Sequence, residues 1–237
     1  MHSVFGVFGG TFDPIHCGHL ELARELRETL GLSAIRFVPA GDPPHRSAPA
    51  ASAAQRLAMV ELAVANHPGL EVDAREIERT GRSFTVTTLE ELRREDGRRA
   101  LALIVGADAF LGLPTWHRWR EIFGLAHLIV VARPGVAIDD RMAPELATEW
   151  TRRRCDDSAV LSVKIAGAII EPRITAHPIS ASAIREALSR RGSRTNAAGG
   201  RTNAAGSGSD AVRGLLPAAV LAYIERNHLY LPPQDAT

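Results

Sequence analysis

Short apolar runs alternate with amphipathic segments along most of the chain. The runs Ser3–Phe8, Ala34–Val38 and Leu70–Asp73 are strand-like. Two further runs, Leu101–Val105 and Leu128–Ala132, contain no polar positions, which is typical of central strands buried on both faces. Because helical patterns separate these runs, the order predicts an α/β fold, in which a doubly wound parallel sheet is covered by helices on both faces.

Apolar positions at helical spacing predict the helices between the strands. The first helix extends from about Gly18 to Leu30, and Gly31 is placed to end it. Ser52 and Gln55 have the spacing of a capping box, which predicts a helix start at Ser52. The segment Val160–Ile170 is strand-like. Further helices are predicted over about Phe84–Arg94, over Met142–Arg154, near Ser180 and near Pro217, a residue type suited to a first helical position.

One internal repeat separates the last two predicted helices. The sequence RTNAAGG at residues 194–200 is followed directly by RTNAAGS at 201–207. Such small polar residues cannot bury enough surface to offset the entropy lost on ordering. We therefore predict a single domain over residues 1–237 that carries a flexible, low-complexity insertion at 191–210, and then a small C-terminal helical segment and tail at 211–237.

The composition excludes several classes of protein. The chain has 237 residues, 45% of them hydrophobic, and its 28 basic and 27 acidic side chains give a net charge of +1. That charge provides no basic surface for a nucleic acid. No apolar run approaches the roughly 18 residues of a membrane-spanning helix, and the N-terminus does not resemble a signal peptide. With only two cysteines, Cys17 and Cys155, and no disulfide framework, we expect a cytoplasmic protein that binds neither nucleic acid nor membrane. The only lysine, Lys164, is expected to be a solvated residue at a strand edge.

The strongest chemical signal is GGTFDPIHCGH, residues 9–19, after the first predicted strand. Gly9 and Gly10 let the backbone approach a ligand, and the following helix start directs free amides and a positive dipole end to the same place. This arrangement predicts an anion site. His16 and His19 are three residues apart, so both imidazoles can face one bound group. These residues alone leave a metal site or helix capping open. Cys17, between the histidines, is interpreted as a bystander, although a helix start can make a thiol reactive.

The whole string resembles the signature of the nucleotidyltransferase superfamily, whose T/HxGH motif binds the phosphates of a nucleoside triphosphate. With Pro14-Ile15-His16 it looks like the bacterial nicotinate-nucleotide adenylyltransferases, since pantetheine-phosphate relatives usually carry threonine in place of His16. It matches neither G-x-G-x-x-G nor a P-loop. The resemblance implies a Rossmann-like fold and catalytic roles for both histidines. It also implies ATP contacts from Gly9, Gly10, Thr11, Phe12, His16 and His19.

Two basic segments extend the resemblance. Pro43-Pro44-His45-Arg46 is similar to the family's P-P-H-K, with Arg46 offering a planar fork where the family has a point charge. Residues 179–185, ISASAIR, are similar to I-S-S-T-x-I-R, which closes the nucleotide site. Ser180, Ser182 and Arg185 are suited to phosphate, because a helix start offers hydroxyls and amides and arginine adds a fork of donors. Arg46 and Arg185 are accordingly predicted as catalytic.

Residues 83–89, SFTVTTL, resemble the family's S-Y-T-x-D-T-L. Phe84 stands where the family has tyrosine, and Thr87 stands where it has aspartate. Thr85 and Thr88 are the candidates in this segment for contact with nicotinate mononucleotide. Residue type and position leave an alternative open, in which both threonines are ordinary helix N-terminal caps.

Four further candidates lie at or after predicted central strands. Gly106 and Asp108 resemble the family's strand-end G-x-D, where a carboxylate can accept hydrogen bonds from the ATP ribose. Trp116 and Trp119 lie in a segment that resembles L-x-x-W, and the resemblance assigns Trp116 to the pyridine ring and Trp119 to packing. Arg133 is a candidate contact of the mononucleotide. By the same resemblance, the C-terminal segment Leu216–Tyr230 packs the core and carries no chemistry.

The implied reaction is the transfer of the adenylyl group from ATP to nicotinate mononucleotide, which gives nicotinate adenine dinucleotide and pyrophosphate. Mg²⁺ is expected as part of the ATP complex, because no acidic cluster suggests a metal site made only of protein ligands. Three alternatives stay open: a superfamily transferase acting on phosphopantetheine or a glycerol phosphate, a metal-dependent hydrolase using His16 and His19, and a nucleotide sensor. The hydrolase lacks a third ligand at nearby spacing. The sequence also leaves a homo-oligomer open.

Overall fold

The computed structural model describes residues 1–41, 48–132, 138, 141–175, 177–190 and 211–231. Within these ranges six parallel strands form one sheet in the order β3-β2-β1-β4-β5-β6. The strands are β1 (Val4–Gly10), β2 (Ala34–Pro39), β3 (Leu70–Val72), β4 (Ala100–Gly106), β5 (His127–Val131) and β6 (Ile169–Ile170). The predicted strand order along the chain and the parallel pairing are confirmed.

Helices precede or follow each strand. They are α1 (Cys17–Leu30), α2 (Ala53–Val64), α3 (Arg75–Glu78), α4 (Thr85–Glu95), α5 (Ala107–Leu111), α6 (Ile122–Leu125), α7 (Pro144–Arg153), α8 (Val160–Val163), α9 (Ala181–Ser189) and α10 (Ala218–Arg226). Two short 3₁₀ turns cover Leu113–Thr115 and Trp119–Glu121. The short elements α3, α5 and α6 and both 3₁₀ turns were not predicted, because three to five residues are too few to show helical periodicity.

The helices cover both faces of the sheet, as predicted. One apolar cluster gathers buried side chains of α1, α2, α9 and α10, and a second gathers those of α4, α5, α6 and α7. Strand β1 contributes to both clusters, with Val4 and Phe8 on one face and Phe5 and Val7 on the other. A central parallel strand between two helical layers therefore has no polar face, which explains its continuous apolar run.

Local signals placed several helix ends correctly. The Ser52 hydroxyl accepts a hydrogen bond from the Gln55 amide at 3.3 Å, and the Gln55 side chain accepts one from the Ser52 amide at 2.9 Å. The predicted capping box is thus confirmed. Gly31 ends α1 in the left-handed region, with φ of 63°. Pro217 lies immediately before the first residue of α10.

The strand predicted over Val160–Ile170 is wrong for most of its length. Val160–Val163 forms one helical turn, and only Ile169–Ile170 pairs in the sheet. The Asp157 carboxylate accepts a hydrogen bond from the Ala159 amide at 2.9 Å, which starts the turn, and Gly167 then reverses the chain with φ of 97°. Lys164 consequently ends a helical turn, although its exposure to solvent is as expected.

Some predictions fall outside the described residues. They are the flexible insertion at 191–210 with its repeat, the Pro43–Arg46 segment, Arg133 and the tail beyond residue 231. Among the helices that are described, none is both long and apolar enough to cross a bilayer.

Strand β1 should not tolerate a side chain at Gly6. A methyl group there would lie 2.8 Å from Cγ1 of Ile35, a buried residue, and 3.3 Å from Cδ1 of Ile104. We expect Gly6→Ala to lower the free energy of unfolding by about 1–3 kcal/mol in urea titrations, because the added atom overpacks the core. Gly124→Ala is the matched control, since a methyl group on this glycine of α6 meets no heavy atom within 4 Å. Equal stability of the two variants would contradict the packing described.

Candidate active site

The candidate site lies between β1 and β4, where successive strands switch from being added on one side of β1 to being added on the other. From β1 the chain passes through α1 to β2 on one side, whereas β4 lies against the other side of β1. The pairing of Phe8 with Ile104 places Gly9 and Gly106 at the same carboxyl edge. A Cβ atom on either glycine would meet no heavy atom of the described, non-adjacent residues within 4 Å. The edge is therefore an open crevice, at the place where open α/β sheets bind their ligands.

The turn after β1 requires the absence of a side chain at Gly10. A Cβ atom there would lie 2.8 Å from the Phe12 ring. Phe12 itself takes the left-handed conformation, with φ of 49°, and is only 4% exposed. Its ring meets the His19 imidazole edge-on, with 5.2 Å between the ring centroids. Gly10 thus makes room for the aromatic residue that supports one of the two predicted catalytic histidines.

His16 and His19 are brought together as the sequence predicts. Their rings stack, with centroids 3.7 Å apart and planes 21° apart. The His16 amide donates a hydrogen bond to Nδ1 of His19 at 3.2 Å, which fixes the second ring across the helix start. Gly18 permits this arrangement, because a Cβ atom there would lie 3.2 Å from Nδ1 of His16.

Burial keeps both imidazoles neutral at pH 7. Loss of solvent lowers the pKa of His16 to about 4. Burial and, secondly, the charge of a protonated His16 hold the pKa of His19 well below its usual value. Since Nδ1 of His19 accepts a hydrogen bond, its single proton lies on Nε2, which is therefore a donor. Nδ1 of His16 is buried and has no hydrogen-bond partner within the described ranges.

The start of α1 offers fewer free backbone amides to a ligand than a helix start would suggest. The Cys17 amide donates to the Leu215 carbonyl oxygen at 2.8 Å, so this amide is not available to an anion. The idea that the helix start makes the Cys17 thiol reactive is wrong. Burial, and secondly the nearby Glu21 carboxylate, raise the pKa of that thiol.

Residues 11–16, between β1 and α1, form a loop that we call the motif loop. Asp13 joins this loop to three other segments. Its side chain is 6% exposed and accepts hydrogen bonds from the Ala50 amide at 2.8 Å, the Ala51 amide at 3.1 Å and the Tyr230 hydroxyl at 2.8 Å. The fourth contact is Arg185, whose Nη1 lies 3.9 Å from the carboxylate and donates to the Asp13 carbonyl oxygen at 2.7 Å. Sequence reasoning missed Asp13 and Tyr230, since nothing local indicates a contact across 217 positions.

Arg185 and its neighbours line the helix start of α9. Ser180 is the residue before the helix, and Ser182 accepts a hydrogen bond from Nη2 of Arg185 at 3.4 Å. Both serines are exposed, and about a third of the Arg185 side chain is accessible. The structure therefore brings Arg185 to the motif loop, while phosphate contact by these three residues stays a prediction.

Arg56 is a second residue that sequence reasoning missed. It is 1% exposed and lies on the buried side of α2 with Met59. One guanidinium nitrogen donates to the Thr11 carbonyl oxygen at 2.8 Å, and the other donates to the Gly41 carbonyl oxygen at 3.1 Å. It thereby ties the motif loop to the end of β2. An arginine within an otherwise apolar helix stripe was the available signal.

The two segments predicted to bind the mononucleotide lie side by side. Phe84, the residue before α4, packs its ring against His117 with centroids 4.5 Å apart. Thr85 is the first residue of α4 and Trp116 follows a 3₁₀ turn, and both side chains are half-buried. The predicted pyridine and carboxylate contacts are thus neighbours in the fold, although ligand contact itself is untested.

Thr88 has a role different from the predicted one. Its hydroxyl donates to the Glu76 carboxylate at 2.7 Å and accepts from Nη2 of Arg79 at 3.3 Å. Thr88 is only 2% exposed. The network continues through Arg79, whose Nη2 also donates to the Glu91 carboxylate at 2.6 Å. Thr88 is an interior residue of α4 that braces the helix, so neither ligand contact nor N-terminal capping describes it. Thr85 is kept as the ligand candidate of this segment.

The remaining candidates differ in exposure. Trp119 is 6% exposed and packs in the second apolar cluster, as predicted. Asp108, in the first turn of α5, has a side chain that is 89% exposed and lies 3.8 Å from Arg141. Its carboxylate is thus accessible at the crevice edge. Arg46 and Arg133 lie outside the described residues.

Comparison with known proteins identifies the family. A model of cytidylyltransferase-like proteins matches residues 7–187. A protein of Dechloromonas aromatica named "Probable nicotinate-nucleotide adenylyltransferase" is 47% identical over 97% of this chain and 99% of its own length. One of Laribacter hongkongensis with the same name is 50% identical over 79% of this chain and 84% of its own. This chain belongs to the nicotinate-nucleotide adenylyltransferase family. It is accordingly a nucleotidyltransferase.

A solved structure supports the fold of this adenylyltransferase. The Plasmodium falciparum nicotinic acid mononucleotide adenylyltransferase complexed with NaAD superposes with a TM-score of 0.67 at 15% identity, over 97% of this chain and 98% of that one. At this identity the likeness concerns the Rossmann-like fold alone, which is confirmed. Within the described part of the adenylyltransferase, no three His, Cys, Asp or Glu side chains cluster as a metal site.

Burial of His16 should make the stability of the adenylyltransferase depend on pH. Its pKa is 6.5 for an unperturbed imidazole and about 4 in the folded chain. As the pH is lowered below 6.5, the unfolded state takes up the proton before the folded state does. The free energy of unfolding should therefore decrease by on the order of 2–3 kcal/mol as the pH is lowered from about 6.5 to about 4. Urea titrations across this range measure the slope. His16→Gln should have a shallower slope, and an unchanged slope would contradict the assignment.

Proposed function

We propose that this chain binds ATP in the crevice at the ends of β1 and β4 and transfers its adenylyl group to nicotinate mononucleotide. The observation that carries the proposal is the stacked, neutral pair His16 and His19 beside the open edge at Gly9 and Gly106. A purine nucleotide can approach the backbone there because no side chain fills the space. The names of the curated relatives supply the pyridine substrate.

The chemistry needs orientation more than proton transfer. An oxygen of the mononucleotide 5′-phosphate attacks the α-phosphorus of ATP, a new P–O bond forms, and the bond to the β-phosphate oxygen breaks as pyrophosphate leaves. With a second pKa of about 6, the attacking phosphate is largely a dianion at neutral pH, so no general base has to deprotonate it. Holding the attacking and leaving oxygens in line and stabilising the charge on pyrophosphate are the remaining tasks.

The two imidazoles are suited to stabilising that charge. His19 presents Nε2–H as a donor, because its Nδ1 is occupied by the His16 amide. His16 stacks on that ring with 3.7 Å between the ring centroids, and its neutral imidazole is proposed as the second group that faces the phosphates. Donors that are fixed before the reaction cost no reorganisation when charge develops on the leaving group. Arg185, and Arg46 from outside the described residues, are proposed to add the positive charge that neutral histidines lack.

Mg²⁺ belongs to this proposal as part of the nucleotide substrate. Bound to the phosphates of ATP, it would neutralise charge on the leaving group and orient it. The protein's own contribution is the local frame: the Gly9–Phe12 backbone and the histidine pair toward the phosphates, and Asp108, exposed at the crevice edge, toward the ribose. Ser180 and Ser182 would complete the nucleotide site from the start of α9.

Selection of the pyridine substrate is assigned to the paired segments at Phe84 and His117. Phe84 precedes Thr85 and His117 follows Trp116, and the 4.5 Å between the two ring centroids supports this assignment. Amides from both would donate to the nicotinate carboxylate, and the Trp116 ring would stack on the pyridine ring. Arg118 stabilises the second segment through Glu90 at 2.7 Å. Arg133, a cytoplasmic location and a homo-oligomer remain predictions from sequence.

The activity test is release of pyrophosphate from ATP and Mg²⁺ with each of three acceptors. We expect release with nicotinate mononucleotide and much slower release with the amide, because backbone amides have no acceptor for the amide NH₂. Phosphopantetheine should give none. Release with phosphopantetheine but with neither pyridine nucleotide would show that the substrate assignment is wrong.

Loss of the His19 imidazole should reduce turnover without unfolding the chain. We expect His19→Ala to lower kcat by about 10²–10³-fold, the effect of removing one fixed donor to a developing anion. His67→Ala is the control, since His67 is an exposed residue far along the sequence from the motif. Thermal unfolding would verify the fold of both. A kcat within twofold of the unaltered enzyme would remove His19 from the mechanism.

A further inference from the structure

The C-terminal segment contacts the nucleotide-binding motif at two points. The Leu215 carbonyl oxygen accepts a hydrogen bond from the Cys17 amide at 2.8 Å. Tyr230 donates its hydroxyl to Oδ1 of Asp13, also at 2.8 Å. One contact lies before α10 and the other after it, so this segment holds the loop between β1 and α1 at Asp13 and at its α1 end. The resemblance had assigned packing alone to these residues.

Asp13 needs the donors that surround it. A carboxylate that is 6% exposed has lost most of its water, and each oxygen must find a donor within the protein. Oδ2 receives the Ala50 amide, and Oδ1 receives the Ala51 amide together with the Tyr230 hydroxyl. Burial, and then the Asp13 charge, raise the pKa of Tyr230, so its hydroxyl remains a donor throughout the physiological range. Among the described residues, Tyr230 is the only hydroxyl that reaches Asp13.

The position of Asp13 makes this contact relevant to the site. It directly follows Phe12, whose ring supports His19, and it comes three residues before His16. Any rotation of the Asp13 backbone would therefore move both histidines relative to Gly9. The donors come from fixed parts of the fold, because Ala50 and Ala51 lead into α2 and the Tyr230 hydroxyl lies 4.0 Å from the sulfur of buried Met59.

We propose that Tyr230 is a positioning residue for adenylyl transfer, which holds the motif loop through its hydrogen bond to Asp13. The inference rests on the proposed function. Without the hydroxyl, the Ala51 amide is the one donor to Oδ1 that remains among the described residues, and the loop loses its link to the C-terminal segment at this point. The histidine donors then spend less time aligned with the triphosphate. Turnover should suffer, whereas binding of the pyridine nucleotide, which uses other segments, should not.

The test compares Tyr230→Phe with Tyr223→Phe. Phenylalanine keeps the ring and removes only the hydroxyl. Tyr223 is the other tyrosine of the chain, half-buried on α10 and packed against the same apolar cluster. We expect Tyr230→Phe to lower kcat by about tenfold and to leave KM for nicotinate mononucleotide within about twofold, at a temperature where thermal unfolding shows both variants to be folded. Tyr223→Phe should leave both constants within about twofold.

A double-mutant cycle distinguishes action through Asp13 from a general loss of stability. In an Asp13→Ala background, Tyr230→Phe should cause no further loss of kcat, because the acceptor of the tyrosine hydroxyl is already absent. A kcat for Tyr230→Phe within twofold of the unaltered chain would overturn the proposal, and so would fully additive losses in the cycle. If Asp13→Ala does not fold, the comparison of the two tyrosines decides alone. Absence of pyrophosphate release from the unaltered chain would contradict the proposed function instead.

Discussion

The nucleotide site depends on supplying hydrogen-bond donors to one buried carboxylate. Removing a carboxylate from water costs several kcal/mol unless donors replace the solvent. The Asp13 carboxylate obtains them from the backbone just before α2 and from the segment after α10, while Arg185 of α9 donates to the Asp13 carbonyl oxygen. These segments are far apart in sequence. Satisfying this single group therefore brings together the elements that surround the histidines. Arg56 acts in parallel, since it joins the backbone at Thr11 to that at Gly41.

Charge is divided between two kinds of side chain at this site. The stacked imidazoles are too close and too buried for both to be charged, so they act as neutral, oriented donors. Positive charge is left to guanidinium groups, of which Arg185 stays partly accessible. An exposed arginine can follow a phosphate as it moves, whereas a buried imidazole cannot. In the proposed mechanism, this arrangement separates alignment of the leaving group from neutralisation of its charge.

Much of the fold could be predicted from sequence because its signals are local. Central strands such as Leu101–Val105 show unbroken apolar runs, and Ser52 with Gln55 marks a helix start within four residues. The prediction failed at Val160–Val163, where residues typical of strands form a helical turn because the Asp157 carboxylate caps its start. Part of the candidate site could also be predicted, because His16 and His19 are close in sequence and their rings stack in the structure.

The rest of the site depends on contacts that no local pattern contains. Tyr230 meets Asp13 across 217 positions, and Thr88 became interior only because Arg79 and Glu76 fold back onto α4. The long-range tyrosine contact has a consequence for biosynthesis. A chain made from its N-terminus exposes Asp13 long before the hydroxyl that meets it, because Tyr230 follows 217 positions later. The motif is thus translated well before this tether becomes available.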